Sequence, residues 1–293
     1  MKKKVIRTIE ERRADVGNYE IYRVLPATML RSVGPFVFLD YAPLVLHPAD
    51  QPRIVPNGKG AHPHRGMATL TYVLNGEADH FDSRGNHAHV NSGGAQWMKA
   101  GKGIIHDEAM NPDPAKNDGL THGLQFWINL PAKHKSDEPE YLPLQAADLP
   151  IVHFPNGRAS LKVISGRYGN LVSPIPAYGE QFLYHLHMQP DAFFALDTRA
   201  RWEYAAFLPG TSKAVINDEL YNAQQLLFFD DEKSVIEIYN NMENPIDVIL
   251  SGGEPIIEPF RAKWNFVMST MTEIDQAYED YHAGKYGTID YQD

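Results

Sequence analysis

The stretch GAHPHRGMATLTYVLNG, residues 60–76, sets two histidines one residue apart just ahead of an apolar, β-branched run that closes on Asn-Gly. That run is short and ends in a turn signal, so it reads as a strand rather than a helix. The histidines are then either a pair of ligands carried by strand backbone or ordinary polar residues at a strand's mouth. The rest of the chain decides between these by whether it supplies partners.

Outward from this stretch the same grammar repeats. PFVFLDY, GLQFWINLP, LKVISGRYG, FLYHLHM, AVINDEL, SVIEIYN and IDVILSGG are short apolar runs separated by Gly, Pro, Asn and Asp. In GLQFWINL, Leu124, Phe126, Ile128 and Leu130 share one face of a strand, and Gln125, Trp127 and Asn129 share the other. Many short strands with turns between them predict an all-β chain of sandwiches or barrels, not a parallel βαβ sheet. The polar, Pro-containing stretch at 131–150 reads as the crossing between two β domains of similar size, taken as 1–135 and 136–293. One helix is expected near the end, in STMTEIDQAYEDYHAGKYG. There Thr270 and Glu273 form a capping box, Ile274, Tyr278 and Tyr281 an apolar stripe, and Gly284 the stop. This helix carries no ligand-like cluster and is expected to close one end of a barrel.

Composition narrows the function classes. A net charge of −10 disfavours direct nucleic-acid binding, which needs clustered Lys and Arg, and the opening MKKK reads as a short solvated tip. The chain has no cysteine, so disulfides and thiolate metal sites are excluded. It shows no apolar run long enough to span a bilayer and no apolar segment behind the basic start. The expectation is a cytoplasmic protein without membrane contact.

With thirteen histidines, isolated ones such as His47, His134, His153 and His282 carry little information. Three His-x-His pairs remain, at 62/64, 87/89 and 185/187. On a strand, residues i and i+2 point the same way about 6–7 Å apart, so each pair can converge on one ion. The 62/64 pair has a partner downstream in WMKAGKGIIHDEAMNP, where His106 and Glu108 form another i, i+2 pair after a Gly-rich turn. Two antiparallel strands then supply three imidazoles and a carboxylate. That set suits Fe(II), Mn(II), Ni(II) or Cu(II) more than structural zinc, and it leaves open positions for substrate or dioxygen. His87 and His89 lie in DSRGNHAHVNSGG, read as a hairpin tip facing water. His185 and His187 lack a second histidine-bearing motif and need carboxylates to hold a metal.

At this point the sequence resembles the pirin family. HPHRG (62–66) and QWMKAGKGIIHDE (96–108) resemble its two ligand motifs. VGPFVFLDY (33–41), HGLQFWINLP (122–131), SGGEPIIEP (251–259) and EIDQAYEDYHAGKYG (273–287) extend the likeness across nearly the whole chain. The resemblance implies a bicupin: two antiparallel β-barrels, the N-terminal one holding metal through His62, His64, His106 and Glu108, the C-terminal one metal-free. It implies iron as the usual metal, with Mn, Ni, Cu or Zn as alternatives. It also implies one of two roles: dioxygen-dependent opening of flavonols such as quercetin, with Glu108 as proton acceptor, or metal-dependent binding of a regulatory protein partner. One departure stands out. Many relatives carry a glutamate where this chain has Ala68, which implies one carboxylate fewer at the metal. Phe38, Met67 and Trp97 are candidate pocket residues.

Overall fold

The computed structural model describes residues 1–14 and 20–292. Among them the chain divides into two compact units. One comprises residues 42–148 and 257–292; the other comprises 1–14, 20–41 and 149–256.

The two main sheets of the first unit are built from β1 (His62–His64), β2 (Met67–Asn75), β3 (Glu77–Asp82), β4 (His87–Asn91), β5 (Ala95–Lys99), β6 (Ile104–Asn111), β7 (Leu120–Asn129) and β8 (Glu140–Leu144), and a hairpin pairs Arg261–Lys263 with Phe266–Met268. Both main sheets are antiparallel, in the orders β1-β6-β3-β4 and β8-β5-β2-β7. The inner faces meet: His64 packs against Trp127 and His80 against Tyr141. Tight turns make the close folding possible. Gly66, between β1 and β2, has φ +76°, and a Cβ there would overlap the Val267 carbonyl oxygen, so only glycine fits.

The last residues complete this same unit. Helix α1 (Met271–His282) begins at Thr270, whose Oγ1 accepts the Glu273 N–H at 3.2 Å while Glu273 Oε2 accepts the Thr270 N–H at 2.9 Å. Ile274 and Ala277 are buried against Phe266, Met268 and Tyr286, with Tyr278 and Tyr281 at the margin of the cluster.

In the other unit, strands Ala159–Tyr168, Gln181–Met188, Ile246–Gly253, Glu203–Phe207 and Gln225–Phe229 form a large antiparallel sheet, edged by Val5–Glu10. A four-stranded sheet is built around Val235–Tyr239 and Phe193–Asp197. Their inner faces share one apolar core that includes Leu161, Val163, Leu186, Leu227, Ile236 and Val248.

Several expectations change. The expected halves 1–135 and 136–293 do not coincide with the compact units. Residues 5–10 add a strand to the later barrel through pairing with 225–229, and residues 257–292 belong with the earlier one. The 131–150 crossing contains β8, which pairs with β5. AVINDEL is a hairpin rather than one strand, because Asn217 and Asp218 both take positive φ, as a two-residue turn of this hand requires. Lys3 is not solvated. It is 1% exposed, and its Nζ donates to the Glu232 carbonyl at 2.5 Å.

Candidate metal centre

The β1-β6-β3 register assembles the site. His62 lies opposite His106, and His106 lies opposite Asp82. Two residues along β6, Glu108 lies opposite His80. Because cross-strand partners share a face and i, i+2 residues share a face, His62, His64, His106, Glu108, His80 and Asp82 all line the barrel interior.

His62, His64 and His106 have ring centroids 4.5–4.9 Å apart. Their ligand atoms lie within 4.8 Å of one another. His62 Nδ1 donates to the Gly60 carbonyl at 2.7 Å and His64 Nδ1 to the Asn265 carbonyl at 3.1 Å. A carbonyl only accepts, so both Nδ1 atoms carry the hydrogen and both Nε2 atoms present lone pairs. His62 Nε2 faces His106 Nε2 at 3.0 Å. His64 Nε2 and His106 Nδ1 are buried without a hydrogen-bond partner. Burial, followed by the neighbouring His106, lowers the His62 pKa to about 4, and the same causes put His64 well below its ordinary value. Neutral His62 and His64, with their Nε2 lone pairs freed by the backbone hydrogen bonds at Nδ1, and His106 within 4.8 Å of them offer the clustered nitrogen donors that a divalent transition metal requires. The residues therefore fit such an ion.

Glu108 is placed differently from the three histidines. Its Oε1 accepts from Gln96 Nε2 at 2.6 Å and its Oε2 from Gln125 Nε2 at 2.9 Å. It groups with His106 and His80, not with His62 and His64. Burial works to raise its pKa, but His106 and His80 outweigh burial and hold the carboxyl well below its ordinary range. His80 shows the reverse balance: burial opposes its proton, yet Asp82 and Glu108 raise its pKa. The His80 ring stacks on Tyr141 at 4.0 Å, and its two nitrogens lie 3.3 Å from Asp82 and 3.4 Å from Glu108. Within this cluster the His80 and His106 side chains are fully buried, while that of Glu108 is 17% exposed.

Ala68 is not at the metal. Thr69 and Thr71 share the face of Gln125 and Trp127, so Ala68 points to the opposite side of the sheet, where its cross-strand neighbours are Lys99 and Ile128. Met67 shares the inner face and Trp97 the outer one, while Phe38 belongs to the other unit, under the Arg23 guanidinium. There His185 Nε2 and His187 Nδ1 share one carboxylate oxygen, Asp247 Oδ1, at 2.8 and 2.7 Å.

The sequence matches the pirin family over residues 18–128 and the pirin C-terminal cupin domain over residues 183–287. The chain belongs to the pirin family. Its two barrels are cupin domains, and the chain is a bicupin with one helix near its C-terminus. A pirin-like protein of Caulobacter vibrioides is 34% identical over 280 residues, 94% of this chain and 92% of that one. A crystal structure of quercetin 2,3-dioxygenase from Acinetobacter baumannii superposes with a TM-score of 0.87 at 26% identity, covering 99% of this chain and all of that one. The bacterial pirin YhhW of Escherichia coli, solved in complex with nickel(II), superposes at a TM-score of 0.62 over 85% of this chain and 99% of its own. At 22% identity that likeness shows the fold alone. Among the described residues, no helix is long and apolar enough to cross a membrane.

Sequence reasoning missed His80. It stands alone in EADHFD, outside any His-x-His pair, and only the register of β3 against β6 brings it to Glu108. The one signal available was the alternation that sets His80 and Asp82 on one face.

Proposed function

We propose that this pirin is a metal-dependent dioxygenase that opens flavonols such as quercetin. In this reading His62, His64 and His106 hold iron(II), with Glu108 as the fourth protein group beside His106. The observation that carries the reading is the convergence of three imidazoles, two of them with their tautomer set by backbone carbonyls, next to an ionised carboxylate that solvent can reach. When bound, the ion supplies Lewis-acid polarisation of a substrate hydroxyl and an electron path to dioxygen.

The chain's own groups do the rest. Glu108 accepts the proton of the flavonol 3-hydroxyl. Gln96 and Gln125 fix its orientation, and His80 with Asp82 balances its charge in the barrel interior. A carboxylate held this far below its ordinary range is a weak base. It therefore works only on a hydroxyl that is already acidified. Trp127 walls the interior beside His64 and offers apolar surface to an aromatic substrate.

The test is oxygen uptake by iron(II)-reconstituted protein given quercetin, with His106→Ala as control. Uptake with carbon monoxide release that depends on His106 supports the reading. A protein shown to hold one iron yet consuming no oxygen refutes it.

A second reading, metal-tuned binding of a protein partner, is favoured by one observation. Leu44, Leu46 and Val55, in the same unit as the metal centre, are each at least half exposed.

A further inference from the structure

The second His-x-His pair does not sit in a loop. His87 and His89 are on strand β4, and their side chains fall on the outer face of the β1-β6-β3-β4 sheet, the side opposite His80 and Glu108. Beneath them on β3 are Phe81, which stacks on His87 at 3.7 Å, and Asp79, the cross-strand partner of His89. The Asp79 side chain is 3% exposed, whereas those of His87 and His89 are 30% and 44% exposed.

We propose that Asp79, His87 and His89 form a second divalent-metal site, of the borderline transition-metal class to which zinc belongs, separate from the one inside the barrel. His87 Nε2 lies 3.2 Å and His89 Nδ1 3.3 Å from the same oxygen, Asp79 Oδ1. Ligand bonds of about 2.1 Å in tetrahedral array put neighbouring ligand atoms about 3.4 Å apart, so the two distances to Asp79 Oδ1 already match the edge length such an ion needs, and all three atoms lie within 4.8 Å of one another. The set is two imidazoles and one carboxylate on two paired strands, which is rigid backing for ligands. An ion here is bound by neutral imidazoles through His87 Nε2 and His89 Nδ1, with each ring hydrogen on the other nitrogen, the tautomer that the Arg53 donor already favours at His89 Nδ1.

Two carboxylates match the charge of a dication once Arg53 swings away. Glu77, whose Oε1 is 3.3 Å from His89 Nδ1, and Asp79 bring two negative charges, and Arg53 brings one positive. Arg53 Nη2 contacts Glu77 Oε1, lies 3.4 Å from Asp79 Oδ2 and 3.2 Å from His89 Nδ1, and leaves Oδ1 to the histidines. Its guanidinium is the resident cation that an ion partly replaces, and its 38% exposed side chain has room to swing out.

The experiment titrates Zn²⁺ into chelator-stripped, full-length protein by calorimetry and counts bound zinc by mass spectrometry after desalting. The wild type is expected to bind two equivalents and His87→Ala/His89→Ala one. Asp79→Asn is expected to weaken one of the two at least tenfold, and Arg53→Gln to tighten it. Thermal melts check that each variant folds. His62→Ala/His106→Ala should keep the outer equivalent, so loss of the inner site is distinguishable from loss of this one. If His87→Ala/His89→Ala binds as much zinc as the wild type, or Asp79→Asn leaves both affinities unchanged, the second site does not exist.

Discussion

Lys135 offers a sharp test of how the barrel holds the His62–His64 strand in place. It is 3% exposed, and its ammonium spends all three donors on the Gly66 carbonyl (2.8 Å), Asn129 Oδ1 (2.7 Å) and the Val267 carbonyl (2.9 Å). Two of those acceptors flank the candidate metal centre: Gly66 lies two residues after His64, and Val267 two after Asn265, whose carbonyl orients the His64 ring. Burial, opposed by Glu273 and Glu258, lowers the Lys135 pKa from 10.5 to about 8. Between those values the unfolded chain keeps a proton that the folded chain has shed. Stability contributed by this group therefore rises with pH, by at most about 1.4 kcal/mol per pH unit. Over the whole window the gain is about 3 kcal/mol. Lys135→Met keeps the apolar stem and removes the charge. At pH 7 it strands three buried acceptors at a cost of about 1–3 kcal/mol each, more than the relief from no longer burying an ammonium. Urea unfolding of both proteins from pH 7 to 10.5 should show the variant less stable throughout. The gap should widen by about 3 kcal/mol above pH 8. Parallel stability curves would refute the reasoning, because Lys135 would then titrate alike in both states.

Three further outcomes follow from the same geometry. Iron content measured after reconstitution should fall below a tenth of an equivalent, on the order of a tenfold loss or more, in His64→Ala and His106→Ala. It should be unchanged in His185→Ala, whose partner is Asp247 in the other barrel. Gly66→Ala should lower unfolding free energy by more than about 3 kcal/mol, since about 1–2 kcal/mol of left-handed backbone strain adds to the overlap with Val267; a smaller loss in denaturant melts would mean the turn relaxes freely. Ala68→Glu should raise neither iron affinity nor oxygen uptake, because Ala68 faces Lys99 and Ile128 across the sheet rather than the histidines. Tighter iron binding in that variant would overturn the face assignment.

The sequence by itself determined what depends on neighbours in the chain. Period-two alternation makes 62–64, 67–75 and 104–111 strands, and i, i+2 spacing puts His62 with His64 and His106 with Glu108 on common faces. The capping box sets the helix start at Thr270. Tertiary structure decided what depends on register and on distant contacts. Pairing of β3 against β6 brings His80 to Glu108 across 28 positions, and the Asn265 carbonyl reaches His64 across 201. Alternation shows that Ala68 and Thr69 face opposite ways, but not which of them looks inward. That is settled by the sheet packed opposite, where His64 meets Trp127 and Glu108 meets Gln125. The same applies to His87 and His89: their local sequence reads as a turn, and only hydrogen bonding to β3 draws them into a strand above a buried Asp79. Local chemistry specifies which side chains share a face; only the packed sheets specify what that face meets, since a contact between distant segments leaves no periodicity in either of them.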